Sequence, residues 1–154
     1  NEIQIYSRVV KVIYQPLLSI ITDTTNITWT VAAVTSSQGS LAFTQDIQCL
    51  SSLNNILVRV VLRVNVTIAD NVTVALFRNT EVNPIATTSS FVAASGAGTI
   101  VLEFMLQAGT VTPITFNVRF GSASGTCYTN AIAAGSQIHD GKEVSSITLT
   151  EIAN

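Results

Sequence analysis

The sequence predicts an all-β fold, an antiparallel β-sandwich of the jelly-roll type. Three observations support this prediction. The β-branched residues Val, Ile and Thr make up 54 of the 154 residues, and such side chains fit a pleated sheet better than a helix. Several segments alternate apolar and polar residues with the period of a strand. Turn signals separate these segments at short intervals, as in sandwiches and jelly rolls.

The clearest strand covers residues 56–66, where aliphatic side chains occupy every second position and Arg59 and Arg63 lie on the opposite face. Pro16 is expected to separate the first two strands, and Pro84 to mark an edge or a turn. A segment of small residues, 89–98, is expected to lead into a long strand. The other strands are predicted at residues 9–14, 17–22, 27–34, 47–50, 72–78, 99–107, 114–120, 126–130 and 144–152.

Neither a repeat nor a low-complexity linker divides the chain, so one jelly-roll domain is expected over residues 15–154. Residues 1–14 are expected to form an extended lead-in. The chain begins at Asn1 and shows no signal-peptide pattern, which favours a processed protein or an excised domain.

The charge content argues against two classes of partner. The chain has seven basic and nine acidic residues and a net charge of −2, with a mean hydropathy of +0.48. No cluster of basic residues offers a nucleic-acid surface, and no apolar stretch suits a membrane-inserted helix. Because the surface of a soluble monomer is usually about a quarter or more charged, we expect part of this surface to be covered by another subunit.

The sequence carries no catalytic pattern, and no enzyme activity is expected. The only histidine, His139, lies beside Asp140 in a turn, so a serine triad or a cysteine dyad would depend on it without a flanking signature. A carboxylate pair for glycoside hydrolysis would have to come from Glu81, Glu103, Glu143 or Glu151, of which Glu103 alone is central in a strand and is interpreted as solvated.

No cofactor or metal is expected either. The candidate ligands are scattered singly, and no helix follows the turn glycines to hold a phosphate. Cys49 and Cys127 leave two alternatives open, a single disulfide or two small buried thiols. The scattered aspartates are Asp23, Asp46, Asp70 and Asp140.

From Ile56 onward, the sequence resembles the globular heads of the tumour necrosis factor and complement-head superfamily. Four features occur in the family's order. They are the apolar strand ILVRVVLRVNV, the strand VTVALFRN with its Leu-aromatic-basic-Asn ending, the strand closing in Leu-x-Ala-Gly-Thr at residues 106–110, and the paired serines of Ser-Ser-Ile-Thr-Leu at 145–149. Thr110 stands where the family usually has Asp, and residues 1–55 match poorly.

This resemblance implies a ten-strand jelly roll that forms compact homotrimers. Such heads often stand at the tip of a fibre, a collagen-like stalk or a virion spike. The Ala-, Val- and Thr-rich composition is closest to viral fibre heads and bacterial-surface versions.

The resemblance also implies a trimer interface on the second face of the inner sheet. Arg59, Arg63 and Arg119 lie opposite the apolar faces of their strands, and the matching strands of the family belong to that sheet. The three arginines are therefore expected at or near the threefold interface, hydrogen-bonded to carbonyls or acidic groups; the alternative is a solvated sheet face.

Two registers are possible for the last predicted strand. If Ile147 and Leu149 point into the sandwich, Thr148 and Thr150 meet the neighbouring subunits. A slip of one residue would reverse this. The first register is preferred because a core favours aliphatic side chains.

The predicted function is a non-enzymatic structural and binding module, a homotrimeric jelly-roll head on a virion fibre or spike or on an extracellular microbial surface. Its partners are further copies of itself and a host receptor, a glycan or a neighbouring coat protein. Residues 35–40, 88–98 and 134–142 are the candidate contact loops. The alternatives are a viral minor capsid or coat jelly roll and a pilus-type subunit, which predicts a sandwich that lacks one strand.

Overall fold

The computed structural model describes residues 8–132 and 136–154. Within them the chain forms ten strands and one short 3-10 turn (His139–Gly141). The strands are β1 (Arg8–Leu17), β2 (Thr22–Asp23), β3 (Ser40–Ile47), β4 (Asn55–Val66), β5 (Asp70–Arg78), β6 (Ala86–Val92), β7 (Ala97–Gln107), β8 (Ile114–Ser122), β9 (Cys127–Thr129) and β10 (Ser145–Ala153).

The strands form two antiparallel sheets. Sheet A contains β1, β10, β4 and β7, with the short strands β9 and β2 extending one end, and sheet B has the order β3-β8-β5-β6. Among the eight long strands, β1 pairs with β10, β3 with β8, β4 with β7 and β5 with β6. The first long strand thus pairs with the last, and the second with the seventh. This nested pairing is that of a jelly roll, so the predicted fold class is confirmed.

The core lies between the two sheets and comes from the predicted alternation. In β4 every second residue from Ile56 to Val64 is at most 2% exposed. β8 contributes Phe116 and Phe120, which are also fully buried. Since strand side chains alternate between faces, this one-sided burial fixes which residues of each strand point outward.

The last strand adopts the preferred register. Ile147 and Leu149 are fully buried in the core, while Thr148 and Thr150 point to the outer face of sheet A and are half-buried. The predicted direction of these four side chains is therefore confirmed.

The N-terminal expectations were wrong in two respects. Strand β1 begins at Arg8 and pairs with β10, so residues 8–14 belong to sheet A rather than to a lead-in; residues 1–7 lie outside the described residues. Pro16 lies within β1, opposite Ser146, instead of ending a strand. β1 is an edge strand, where a residue without an N–H is tolerated.

Three other predicted boundaries were also wrong. Residues 27–34 form no strand but a covering segment that is described below. Strand β3 ends at Ile47, where the predicted strand 47–50 was expected to begin. Most of the expected loop 88–98 belongs to β6 and β7. The small Ser and Thr side chains of β6 show little alternation, although Thr73 and Ser89 share a 2.7 Å hydrogen bond across the β5–β6 pair.

Two further results bear on the predicted class of protein. The pilus-type alternative predicts a sandwich with one strand missing, whereas the eight long strands here form four complete pairs. Among the described residues, no helix has the length and apolar character needed to cross a membrane.

Candidate functional site

The outer face of sheet A is apolar and has no second layer over it in the described chain. The register aligns one residue from each of four strands into rows, of which Val12–Thr150–Leu57–Met105 is one. Another row combines Pro16 and Ser146 with two valines of β4 and β7. Val12 is 57% exposed, Met105 52% and Val101 44%. A sheet face with this many exposed apolar side chains is typical of a protein interface.

An ion pair lies in the middle of this face. The row between the two apolar rows is Tyr14–Thr148–Arg59–Glu103, and Arg59 Nε lies 3.1 Å from Glu103 Oε1. Thr148 lies directly beside Arg59 on the same face. Glu103 is on the solvated outer face, as predicted, and it has a cationic partner there.

Arg63 lies at one end of the same face. Its Nε donates to Glu143 Oε1 at 2.5 Å, and a further hydrogen bond joins the guanidinium to the Thr99 hydroxyl. Both members of this pair are less exposed than Arg59 and Glu103. Arg59 and Arg63 thus contact acidic groups on one sheet face, although neither contact tests whether a neighbouring subunit covers them.

The expectation that Arg119 shares this face was wrong. Arg119 belongs to β8, which is a strand of sheet B. Its Nε and Nη2 donate to the carbonyls of Gln38 and Gly39, each at 2.8 Å. Alternation showed correctly that Arg119 points away from the core, but a period of two residues does not tell which of two sheets a strand joins.

Along β5 the outer face of sheet B is covered by the chain itself, whereas its edge strands stay exposed at Leu41 and Phe91. Thr73, Ala75 and Phe77 of β5 point away from the core, and yet all three are at most 4% exposed. Residues 27–39, which we call the covering segment, lie over them. The first half of this segment and Thr73 line one cavity of about 310 Å³, and Ser36 and Phe77 line another.

Asp23 anchors the covering segment at its start. The side chain is fully buried and accepts hydrogen bonds from the Ser40 hydroxyl at 2.7 Å, the Thr25 hydroxyl at 2.9 Å and the Asn26 N–H at 3.1 Å. This residue was considered only as a scattered metal ligand. The run Asp-Thr-Thr-Asn is typical of a side-chain-capped turn and could have revealed its role.

One of the comparisons with known proteins identifies a family. A search of the curated proteins gives no match. The family model of the Pgp3 C-terminal domain matches residues 25–154, which is most of the chain. The chain belongs to the Pgp3 C-terminal domain family.

One solved structure, described as "CBM4 structure and function", is 12% identical over 82% of this chain and 76% of its own, with a TM-score of 0.42. That score is too low to equate the two folds. The jelly-roll topology of this Pgp3-type domain therefore rests on its own strand pairings. The family match covers strands β3 to β10, whereas β1 and β2 precede it.

The two cysteines of this Pgp3-type domain are free and buried, so the buried-thiol alternative is confirmed and the disulfide is not formed. Cys49 lies near Glu151, which pairs with the start of β4, whereas Cys127 pairs with Val66 at the end of β4. A 12-residue strand spans about 40 Å, far beyond the roughly 7 Å limit between the Cα atoms of a disulfide. Burial raises the pKa of both thiols, that of Cys127 to about 12.

The remaining candidates are dispersed over the domain. His139 is exposed on the 3-10 turn beside Asp140. No group of three or more metal-ligating side chains forms within residues 8–132 and 136–154. Of the candidate contact loops, 35–40 lies against sheet B and lines a cavity, and 134–142 falls partly outside the described residues.

Proposed function

We propose that this Pgp3-type domain is a non-enzymatic binding head that associates with two further copies of itself through the outer face of sheet A. The observation that carries the proposal is the contrast between the two sheets. The covering segment shields the outward side chains of β5 in sheet B, whereas nothing in the described chain covers the outer face of sheet A, where Val12, Val101 and Met105 are exposed. Burying apolar surface is the dominant favourable term in most protein association.

The residue types on this face support an interface. Met, Tyr and Arg are enriched in interface cores, and Lys is depleted. The outer face of sheet A presents Tyr14, Met105 and Arg59, which belong to the enriched types. Among the described residues, Arg59 is the only cation near its centre, and it is paired with Glu103, so that covering the face would not leave an isolated charge.

The number of copies and the setting follow from the resemblance to the tumour necrosis factor heads. Heads of that family are homotrimers, and their inner sheet corresponds to sheet A. We propose an extracellular setting, on a virion or a microbial surface, and a host receptor, glycan or coat protein as partner. Three copies held together would multiply weak contacts through their effective concentration.

The molar mass in solution tests the proposal. We expect a discrete species of three times the 16.3 kDa chain mass, measured by light scattering after size-exclusion chromatography. A double variant, Val101→Lys and Met105→Lys, places two charges on the exposed apolar face and is expected to give folded monomers. The matched control is Phe91→Lys, because Phe91 is 65% exposed on the outer side of sheet B; it should remain a trimer.

A monomeric wild-type chain, or open polymers, would overturn the proposal. So would a double variant that keeps the trimer mass. Circular dichroism of each variant shows that a lost assembly does not reflect an unfolded chain.

A further inference from the structure

A small cavity with both polar and apolar lining opens on the outer face of sheet B, beside the covering segment. Its volume is about 290 Å³, close to the lower end of ligand pockets, which begin at about 300 Å³. Phe77, Asn117 and Arg119 form its floor, and Ser36, Asn79 and Glu81 contribute to its walls. The two walls are joined by a hydrogen bond from the Ser36 N–H to the Val82 carbonyl at 3.0 Å.

The amide side chains of this cavity are held in place by the protein. Asn117 Oδ1 accepts from the Thr44 hydroxyl at 2.9 Å, and Asn117 Nδ2 donates to the Asn79 carbonyl at 3.2 Å. Asn79 Oδ1 in turn accepts from the Thr115 N–H at 3.0 Å. A ligand that entered would meet polar groups whose conformations are already fixed, which reduces the entropy cost of binding.

Arg119 is the strongest recognition element. A guanidinium has five N–H donors; the Gln38 and Gly39 carbonyls take two of them and fix its plane. Both ion pairs of the described residues involve other arginines, so Arg119 has no acidic partner there. One N–H of Nη1 and the second N–H of Nη2 remain, and together they form the end-on fork that matches a carboxylate.

We propose that this cavity binds a carboxylate-bearing sugar unit of an acidic glycan. Arg119 binds the sugar carboxylate, and the Asn79 amide, whose Nδ2 donates to none of the described residues, binds a hydroxyl oxygen. Glu81 accepts a hydrogen bond from a sugar hydroxyl. With one positive charge from Arg119 and one negative charge from Glu81 in its lining, the cavity suits a singly charged carboxylate better than a doubly charged phosphate. The inference rests on the proposed binding role, but it does not depend on trimer formation.

Binding is measured by titration calorimetry and saturation-transfer NMR with the whole chain. The probes are a sialylated trisaccharide and a hyaluronan tetrasaccharide, with lactose as the neutral control. We expect at least one acidic probe to bind, and lactose not to bind. The variant Arg119→Lys keeps the charge but loses the fork and should weaken binding about tenfold or more.

Because Arg119 also anchors the covering segment, a second variant leaves it untouched. Thr80→Trp fills the mouth of the cavity, which Thr80 lines, and should abolish binding. Thr24→Trp, at an exposed position outside the cavity lining, is the matched control and should bind like the wild type.

The inference is overturned if neither acidic probe binds at millimolar concentration, if lactose binds equally well, or if Thr80→Trp binds unchanged. A trimeric mass together with no binding would remove this inference and leave the proposed trimer standing. A monomer that binds acidic sugars through Arg119 would remove the proposed trimer and leave this inference standing.

Discussion

The ion pair between Arg59 and Glu103 offers a direct measurement of whether the outer face of sheet A is covered. Replacing Glu103 with Gln keeps the side-chain shape and removes one charge. In the single chain these side chains are 55% and 56% exposed, and a pair at this exposure contributes about 0–1 kcal/mol because water screens it. If neighbouring copies cover the face, the variant leaves the Arg59 charge buried without its partner, which costs about 3–5 kcal/mol.

The predicted loss in the free energy of unfolding is near 3 kcal/mol per chain, at the low end of that range because Gln still accepts one hydrogen bond from Arg59. Urea unfolding at fixed chain concentration measures it. Asp46→Asn is the control, since Asp46 is an exposed carboxylate on sheet B, and should change stability by less than about 0.5 kcal/mol. A loss below about 1 kcal/mol for Glu103→Gln, with the molar mass unchanged, would refute the reasoning and favour a solvated face.

Two further predictions concern buried groups. Burial and the nearby Asp23 charge raise the pKa of Cys127 from 9.0 to about 12. Between these two pH values only the unfolded chain ionises this thiol. The contribution of Cys127 to stability is therefore fully present below pH 9 and declines as the pH rises towards about 12. The free energy of unfolding should fall by about 1.4 kcal/mol per pH unit in this range. Urea unfolding at a series of pH values measures this slope, and the Cys127→Ala variant should lack it. Equal slopes for the variant and the wild type would contradict the raised pKa of Cys127. Asp23→Asn should destabilise the domain by about 3 kcal/mol, since an amide cannot accept from all the donors that face the carboxylate. The fluorescence of Trp29, the single tryptophan, should report loosening of the covering segment before global unfolding; a stability loss below 1 kcal/mol would show that the network contributes little.

Most of the fold prediction came from the alternation of apolar and polar residues with a period of two. It identified β4, β7 and β8 because each buries one face against the opposite sheet, so that every second residue must be apolar. The same argument chose the register of β10 correctly, since Ile147 and Leu149 fit a core and Thr148 and Thr150 do not. Where a strand has one buried face and one open face, the alternation of apolar and polar residues shows which residues belong to each face.

The covering segment was misread as a strand for a physical reason. Residues 27–34 are rich in apolar side chains, of which Ile27 is buried while Trp29 and Val31 are exposed. The segment takes its path from local bonds: the Asp23 network at its start and the bonds of Arg119 to Gln38 and Gly39 at its end. An apolar composition does not determine whether the backbone forms a strand or follows an irregular path. The cavity lined by Arg119 was missed for a similar reason, since its residues come from distant strands and loops that only the topology brings together.

The two proposals use opposite faces of the sandwich, and this separation has a functional consequence. Self-association would cover the outer face of sheet A, whereas the Arg119 cavity opens on the outer face of sheet B. Assembly would therefore leave each cavity open and present three of them at once. A cavity of about 290 Å³ accepts one small unit, so each site alone is expected to be weak. Simultaneous binding of three sites to a repeating acidic glycan can raise the overall avidity by about 10²–10⁴ over a single site. The monomeric double variant at Val101 and Met105 should lose this gain. It should keep its affinity for a single acidic sugar unit.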